Sequence, residues 1–292
     1  MKIAIYGRPY QNRLNQYVEQ ITRMITDTGF DFAIAEPYAE FLNQTGLIKS
    51  EYSRFNIDDV NISEFNCLLS IGGDGTLLDT VPIIGDSGVP VIGINAGRLG
   101  FISSISISEL DDVLKSLKSG NFICEDRSLL LVETERKLFG NNNFALNELT
   151  LHKKDSSSMI RIHTYLDREI LNTYWADGLI ISTPTGSTAY NLSCGGPIIV
   201  PGSENVVVTP IAPHNLTVRP VVISNTSSLR IKVSGRAESF LITIDSRSEA
   251  IYPDEEIIVS RAPFYFKLIQ PAGHSFINTM RNKLAWGLDK RN

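Results

Sequence analysis

The strongest constraint on the fold of this chain is the stretch 67–76, which reads CLLSIGGDGT. Its first five residues form an apolar run of strand length, and Gly72, Gly73 and Gly75 follow at once. Residues from Thr76 onward can begin a helix. A strand that runs through a glycine turn into a helix N-terminus presents backbone N–H groups at one point, and the helix dipole adds to their attraction for an anion. The stretch therefore predicts a phosphate-binding turn.

Asp74 is the unusual residue of this turn, because a carboxylate among phosphate-binding glycines repels the phosphates. The repulsion is relieved when a metal ion or a reacting proton lies between the two charges. Asp-Gly is also a common turn pair, and Asp is a good helix cap, so a purely structural role explains Asp74 equally well. Both interpretations stay open at this point, since short glycine motifs match by chance.

Composition places the chain among ordinary globular proteins, with 292 residues, 42% of them hydrophobic and 20% charged. The net charge of −5 argues against nucleic acid as the main partner, because binding to a phosphate backbone needs a basic face. Cys67, Cys124 and Cys194 form no CxxC pair, which predicts reduced thiols rather than a disulfide framework or a zinc site. With no signal-peptide pattern and no stretch of transmembrane length, we expect a cytoplasmic protein without a membrane partner.

The first 120 residues alternate predicted strands with predicted helices. We expect strands at 3–6, 32–35, 67–71 and 89–94, and helices at 12–28, at 37–42 and from Ser108 to Gly120. The last of these helices is predicted from a capping box between Ser108 and Asp111 and from the stop at Gly120. Residues 45–63 show no clear period. The alternation predicts an open, mainly parallel α/β sheet, in which ligands bind beyond the carboxyl ends of the strands.

After Gly120 the pattern changes to short strands at turn-rich spacing, which is typical of an all-β domain. We predict these strands at 122–134, 143–152, 159–166, 169–174, 179–182, 206–211, 229–233, 240–244, 256–259 and 264–269. A short helix near 187–192 interrupts them, and a final helix at 275–286 is expected to pack on the first domain. The sequence therefore predicts an α/β domain, 1–120 with 275–292, and a β-rich domain, 121–274.

A second informative stretch is 175–193, which reads WADGLIISTPTGSTAYNLS. Pro184 keeps the preceding residue extended, Gly186 turns the chain, and Ser187 can cap a helix. Hydroxyl and N–H groups at such a turn suit a ligand rich in hydroxyls and amides, and Tyr190 offers a flat face to an aromatic base. The alternative is a serine- and threonine-rich turn with Tyr190 in the core.

Several stretches of the chain together resemble the motifs of the NAD kinase family, and they occur in the same order and at the same spacing as in that family. They are 71–76 (IGGDGT), 93–95 (GIN), 97–101 (GRLGF), 146–148 (LNE), 177–179 (DGL), 183–190 (TPTGSTAY), 209–214 (TPIAPH) and Phe276-Ile277 with Arg281 and Lys283. The resemblance covers nearly the whole chain. The Gly-Gly-Asp-Gly turn is shared with lipid kinases and phosphofructokinases, whereas the 183–190 run is much more specific and favours NAD kinase.

The resemblance implies transfer of the γ-phosphoryl group of ATP to the 2′-hydroxyl of the adenosine ribose of NAD, which gives NADP. It implies an α/β N-terminal domain of the NAD kinase/diacylglycerol kinase-like type and a β-rich C-terminal domain, with substrate bound between them. Mg²⁺ or another divalent metal is expected on the ATP phosphates rather than at a separate protein metal site. A homo-oligomer is also expected, with a tetramer favoured.

Asp74 matches the family's catalytic aspartate, which accepts the proton of the 2′-hydroxyl. Carboxylates are weak bases for a sugar hydroxyl, so positioning and charge neutralisation are expected to supply most of the rate. The residues expected to bind NAD are Asp74, Gly75, Asn147, Glu148, Asp177, Thr188, Ala189, Tyr190, Asn191, Leu192, Ser193, Ala212 and Arg247. Those expected to hold the phosphate donor are Gly72, Gly73, Gly75 and Thr76.

Within this set, the resemblance assigns Asp177 to the nicotinamide carboxamide, and Tyr190 and Ser193 to the adenosine half. The chain departs from the family pattern at Trp175, where a cationic residue is common. Ala212 replaces a frequent cysteine, and 245–247 reads DSR where the family usually has DGQ. None of these departures touches the implied chemistry.

Two other functions compete with this interpretation. A lipid or sugar kinase of the same fold would share the glycine turn, but it has no reason to carry the 183–190 run. A dinucleotide sensor without turnover would keep the binding motifs, but it has no need of a general base at Asp74. NADP formation from NAD and ATP distinguishes NAD kinase from both, and NAD binding without turnover favours the sensor.

Overall fold

A computed structural model describes residues 1–10, 15–49, 52–95, 100–154 and 159–287. The chain forms two compact units, Met1–Asp126 with Phe266–Asn292, and Arg127–Tyr265. The first unit therefore combines an N-terminal segment of the chain with a C-terminal one. No helix in the described ranges is long and apolar enough to span a membrane.

The first unit is an α/β structure built on a parallel sheet. Its strands are β1 (Lys2–Gly7), β2 (Asp31–Ala35), β3 (Ser53–Phe55), β4 (Cys67–Ile71), β5 (Val91–Asn95) and β6 (Ile105–Ser106), and its helices are α1 (Val18–Asp27), α2 (Glu36–Gln44), α3 (Asp74–Leu78), α4 (Val81–Ile84), α5 (Ile107–Ser119) and the last helix (Phe276–Leu284). The strand order is β5-β4-β1-β2-β3, with parallel pairing throughout. The α1, α2 and α5 helices bury their apolar faces in the core of this unit.

The sheet brings the glycine turn to its carboxyl edge. Gly7 at the end of β1 pairs with Ile71 at the end of β4, and β4 leads directly into Gly72. Only glycine fits at position 72, because a Cβ atom there would lie 2.2 Å from Oγ1 of Thr76. The turn therefore lies where ligands of parallel sheets bind.

The second unit consists of antiparallel strands. Together with the strands that cross its boundary, these are β7 (Ile123–Thr134), β8 (Phe144–Ala145), β9 (Glu148–His152), β10 (Ile160–Leu166), β11 (Glu169–Ala176), β12 (Gly178–Ser182), β13 (Asn205–Ile211), β14 (Val221–Ser224), β15 (Leu229–Ser234), β16 (Phe240–Ile244), β17 (Arg247–Ile251) and β18 (Glu256–Gln270). One sheet has the order β14-β13-β12-β9-β16-β17, and other strands pair in the order β11-β10-β15-β18. Apolar side chains from both sets form one core.

The end of β18 returns the chain to the first unit. Leu268 pairs in parallel with Val91 of β5, and Ile269 belongs to the core of the first unit. The next residue, Gln270, accepts a hydrogen bond from Oγ of Ser104 at 2.6 Å. The hydrophobic core of the first unit therefore contains residues from β1 and residues from the end of β18, more than 260 positions later in the chain.

The predicted fold class is confirmed, while several element limits differ from the prediction. The helix predicted at 12–28 begins as α1 at Val18, after a 3-10 turn at Asn15–Tyr17, and residues 12–14 lie outside the described ranges. The predicted helix near 187–192 is a 3-10 turn, Gly186–Thr188, followed by the short α6 (Tyr190–Ser193). β3, β6, β14 and β17 are additional to the predicted strands. The strand predicted at 143–152 is divided into β8 and β9, and the two strands predicted at 256–259 and 264–269 are one, β18.

The start of α5 corrects another prediction. The capping box joins Ser106 and Glu109 rather than Ser108 and Asp111, and the N–H of Ser106 donates to Oε2 of Glu109 at 2.8 Å. A glutamate at the third helical position reaches back to the N-cap, which is why it is the usual partner there. The helix ends as expected, because Gly120 adopts a left-handed conformation with φ 72°.

Candidate active site

Asp74 lies at the first residue of α3, and the backbone of 101–103 holds its carboxylate. Oδ2 accepts the N–H of Phe101 at 2.9 Å. Oδ1 accepts the N–H groups of Ile102 at 3.2 Å and Ser103 at 2.8 Å. These charge-assisted bonds fix the orientation of the carboxylate, which is what a proton acceptor requires.

Gly100 provides the space for this carboxylate. A Cβ atom at Gly100 would lie 2.0 Å from Oδ1 of Asp74 and 2.8 Å from the carbonyl oxygen of Ser103. Gly100 belongs to the second glycine turn of the sequence, of which residues 96–99 lie outside the described ranges. Two motifs that are separate in the sequence therefore meet at Asp74.

The glycine turn itself is closed on one side and open on the other. Gly72 is buried, and its carbonyl oxygen accepts a hydrogen bond from Oγ of Ser103 at 2.8 Å. Thr76 is buried against Gly72. In contrast, Gly73 is exposed, and a Cβ atom built on it would have no heavy atom within 4 Å. Of the four residues predicted to hold the phosphate donor, Gly73 and Gly75 face the available space.

Arg8 is a residue of this site that the sequence reasoning missed. Its Nε and Nη2 atoms bind the carboxylate of Asp79 at 2.5 and 2.8 Å, and Nη2 also donates to the carbonyl oxygen of Gly75 at 3.0 Å. The guanidinium, paired with the Asp79 carboxylate, therefore lies beside the glycine turn. The sequence feature that points to Arg8 is its position directly after β1, because ligands bind at the carboxyl edge of a parallel sheet.

In the second unit, Asn147 and Glu148 are buried at the start of β9. Burial and the nearby negative charge of Asp245 raise the pKa of Glu148 to about 8, against a smaller opposing effect of the backbone N–H of Tyr190. The Oε2 atom of Glu148 is buried without a hydrogen-bond partner among the described residues. Buried polar atoms normally have a partner, so this oxygen is suited to binding a hydroxyl group of a ligand.

This raised pKa predicts that stability falls as the pH rises. The pKa of the carboxyl group is near its ordinary value of 4.5 in the unfolded chain and about 8 in the folded protein, so the folded state binds this proton more tightly. Its stabilising contribution is therefore complete below about pH 4.5 and is lost as the pH rises through about 8. Between pH 6 and pH 9, we expect the Tm of the wild type to fall by about 5 °C more than that of Glu148→Gln.

Thermal unfolding followed by circular dichroism at several pH values measures this difference. Glu249→Gln is the matched control, since Glu249 is exposed on β17 and its variant should keep the wild-type slope of Tm against pH. Equal slopes in Glu148→Gln and the wild type would contradict the prediction.

The turn at 183–186 packs against the backbone of Asn147. The N–H of Thr183 donates to the carbonyl oxygen of Asn147 at 2.9 Å, and its Oγ1 donates to that of Leu146 at 2.6 Å. A Cβ atom at Gly186 would lie 2.2 Å from the carbonyl oxygen of Asn147. The LNE and TPTG motifs are therefore in direct contact, and Gly186 permits their close approach.

Tyr190 lies on the surface of the second unit, so the alternative of a core tyrosine is wrong. It is 37% exposed, and its ring stacks on that of His152 with 5.9 Å between centroids and 14° between planes. The hydroxyl group lies 3.2 Å from Nε2 of His152. An exposed ring whose orientation is fixed in this way is suited to stacking on a base.

The remaining predicted residues of this turn differ in accessibility. Thr188, Ala189 and Leu192 are half-buried, and Ser193 is exposed. Asn191 is completely buried, and its amide donates to the carbonyl oxygens of Ser187 and Pro197 and accepts from Oγ1 of Thr209. The amide of Asn191 therefore stabilises the turn through hydrogen bonds within the protein, and its contact with NAD stays a prediction.

Comparison with known proteins decides the family. A model of the ATP-NAD kinase N-terminal domain matches residues 3–122, and a model of the C-terminal domain matches residues 146–271. The chain belongs to the NAD kinase family. The NAD kinase of Flavobacterium johnsoniae is 42% identical to it over the full length of both chains. The predicted family and its phosphotransferase activity are thereby confirmed.

Solved structures agree with this NAD kinase assignment. A yeast NADH kinase complexed with NADH matches with a TM-score of 0.87 and 26% identity, over 100% of this chain and 89% of the yeast chain. An NAD kinase from Archaeoglobus fulgidus in complex with ATP matches with a TM-score of 0.76 over 98% of this chain and 100% of the archaeal one. At 21% identity, the second likeness supports the fold alone.

Three further residues expected to bind NAD differ in their surroundings in this structure. Oδ1 of Asp177 forms an ion pair with Nζ of Lys153 at 2.6 Å. Ala212 is exposed directly after β13 and adopts a left-handed φ of 45°. Arg247 donates to backbone carbonyl oxygens through Nη1 and Nη2. Their contacts with NAD stay predictions.

Proposed function

We propose that this NAD kinase transfers the γ-phosphoryl group of ATP to the 2′-hydroxyl of the adenosine ribose of NAD, with Asp74 as proton acceptor. The observation that carries the proposal is the carboxylate of Asp74, which three backbone N–H groups fix beside an open glycine turn. Relatives named NAD kinase and NADH kinase, and structures described with NADH and with ATP, support the choice of substrates.

In this mechanism, Asp74 accepts the proton of the 2′-hydroxyl late, as the oxygen bonds to the γ-phosphorus. A loose transition state needs little basicity, so the fixed orientation of the carboxylate matters more than its base strength. The N–H groups at Gly73 and Gly75 and the guanidinium of Arg8 are placed to bind phosphate oxygens. Positive charge near the transferring group stabilises the charge that develops there.

The second unit supplies the proposed contacts with NAD. The unpartnered Oε2 of Glu148 accepts a ribose hydroxyl, and the ring of Tyr190 stacks on the adenine. Asp177 keeps its second carboxylate oxygen for the nicotinamide carboxamide while Lys153 pairs with the first. The other proposed contacts are Asn147, Thr188, Ala189, Leu192, Ser193 and Ala212.

A divalent metal fits this site when it arrives on the phosphates. No group of three or more His, Cys, Asp or Glu side chains in the described ranges could hold a metal ion. Mg²⁺ usually keeps several waters and is bound largely through substrate phosphates, so the ATP phosphates would hold it here while Asp74 accepts the proton. When bound, the ion neutralises phosphate charge and relieves the repulsion between the phosphates and Asp74.

The test is NADP formation by the purified protein with NAD, ATP and Mg²⁺. We expect turnover with NAD, and ³¹P NMR of the product should show a new 2′-phosphomonoester. Diacylglycerol and glucose serve as competing acceptors. Polyphosphate is tested as an alternative phosphate donor, and NADH as an alternative acceptor. If the protein binds NAD but forms no NADP with either ATP or polyphosphate as donor, the result would instead support a dinucleotide sensor without turnover.

The proposal also includes a cytoplasmic homo-tetramer that binds neither nucleic acid nor membrane. The net charge of −5 and the free cysteines of the described structure support this setting. Size-exclusion chromatography with light scattering measures the mass of the particle, against 32.4 kDa for one chain.

A further inference from the structure

The hairpin of β16 and β17 has a two-residue tip, Asp245 and Ser246, and Asp245 adopts a left-handed φ of 50°. The side chain of Asp245 reaches the segment before β9. Its Oδ2 accepts the N–H of Leu146 at 2.9 Å, and its Oδ1 accepts those of Asn147 at 2.8 Å and Glu148 at 3.3 Å. The N–H of Asp245 in turn donates to the carbonyl oxygen of Glu148 at 3.0 Å.

Arg247 binds the same segment two residues farther along the hairpin. Its Nη2 donates to the carbonyl oxygen of Phe144 at 2.6 Å, and its Nη1 donates to that of Asn142. The guanidinium carbon lies 6.0 Å from the ring centroid of Phe144. The aspartate therefore satisfies N–H groups and the arginine satisfies carbonyl groups of one continuous stretch, 142–148.

This stretch needs such partners because the strand pairing is interrupted there. β8 ends at Ala145 and β9 begins at Glu148, so Leu146 and Asn147 belong to no strand. Partly buried backbone groups outside a sheet must find hydrogen bonds elsewhere. The opposite charges of Asp245 and Arg247 also attract each other, which reduces the penalty of burying either one.

We propose that Asp245 and Arg247 are positioning residues that hold Asn147 and Glu148 in the geometry required to bind the dinucleotide. The inference rests on the proposed function and extends it, since the contacts with NAD proposed above include neither residue, although the sequence predicts one for Arg247. It gives Arg247 a role through the 142–148 stretch in place of a direct contact with NAD. The role of the DSR sequence at 245–247 is accordingly to hold the backbone of 142–148 through hydrogen bonds.

A merely structural role and this positioning role differ in one electrostatic consequence. The charge of Asp245 raises the pKa of Glu148, and the other groups that interact with Glu148 are the backbone N–H of Tyr190 and the side chains of Tyr190 and Cys194. Removing the charge of Asp245 lowers the pKa of Glu148. The pH midpoint of NAD binding therefore moves to lower pH, whichever form of Glu148 binds NAD.

The experiment compares Asp245→Asn and Arg247→Gln with the wild type. We expect Asp245→Asn to raise the KM for NAD by about tenfold or more, with a smaller change in kcat and in the KM for ATP. The pH midpoint of NAD affinity should move to lower pH, because the charge of Asp245 is one of the two causes that raise the pKa of Glu148. Arg247→Gln should raise the KM for NAD without moving that midpoint as far, because it leaves the charge next to Glu148 in place.

Glu249→Gln, on the same hairpin and exposed, is the matched control and should keep the wild-type KM and midpoint. Amide hydrogen exchange gives a readout that needs no activity: Asp245→Asn should accelerate exchange at 146–148 and leave β12 protected. A wild type that lacks turnover contradicts the proposed function, whereas the exchange result still tests the positioning. An unchanged KM for NAD, an unchanged midpoint and protected amides at 146–148 would overturn the inference.

Discussion

Asp74→Asn is expected to lower kcat for NADP formation by about a thousandfold, because general-base catalysis contributes on the order of 10²–10⁴ and an amide accepts no proton. The affinity for NAD should stay largely unchanged, since most of the proposed contacts lie at 147–212. Initial rates with saturating NAD and ATP give kcat, and calorimetric titration with NAD gives the affinity.

The structure adds a necessary control to this experiment. An asparagine keeps one oxygen for the N–H groups of Ile102 and Ser103, but it turns an NH₂ group toward the N–H of Phe101. Losing that bond costs about 1–3 kcal/mol of folding stability, so the Tm of the variant must be measured beside its rate. Asp86→Asn, at an exposed carboxylate of the same unit, should match the wild type in both. If NAD binding disappears together with turnover, the assignment of Asp74 as base is unsupported.

Gly100→Ala is expected to reduce kcat by about a hundredfold or more without changing any titratable group. The added Cβ atom would lie 2.0 Å from Oδ1 of Asp74, so the carboxylate must move away from its three N–H partners. Overpacking of this kind costs about 1–3 kcal/mol, which a Tm measurement detects. The rate and Tm together separate displacement of the base from general unfolding.

Gly73→Ala gives a matched comparison in the first glycine turn. Its Cβ atom would meet no protein atom within 4 Å, so the fold should tolerate the change. Because we assign that space to the phosphate donor, the variant should raise the KM for ATP while Gly100→Ala lowers kcat. A normal kcat in Gly100→Ala would show that the position of the Asp74 carboxylate does not limit the reaction.

Much of the fold and part of the candidate site could be predicted from local sequence signals. The apolar run before Gly72 and the glycines after it predict a strand and a turn because both depend on neighbouring residues. The position of α5 followed from its periodic apolar face, but two overlapping Ser-x-x-acid patterns left its start ambiguous by two residues. β17 escaped prediction because its sequence, RSEAI, lies mostly exposed and has no apolar alternation.

Features that depend on distant partners could not be predicted. Arg8 forms its ion pair with Asp79, which is 71 residues away, and nothing beside Arg8 in the sequence indicates that contact. The amide oxygen of Asn191, in α6, accepts from Thr209 in β13, so the motif alone suggested a ligand contact for a side chain that the structure buries. The hydrogen bonds from 146–148 to Asp245 likewise cross about a hundred residues, a separation set by the antiparallel sheet.

The return of the chain through β18 has a consequence for synthesis on the ribosome. Domains commonly fold from the N-terminus as they emerge, yet the first unit here needs Leu268 beside Val91 and Ile269 in its core. The second unit, Arg127–Tyr265, has left the ribosome before those residues do. Chains that are truncated after residue 265 and released from the ribosome should therefore hold a protease-resistant second unit and a first unit that is still cleavable.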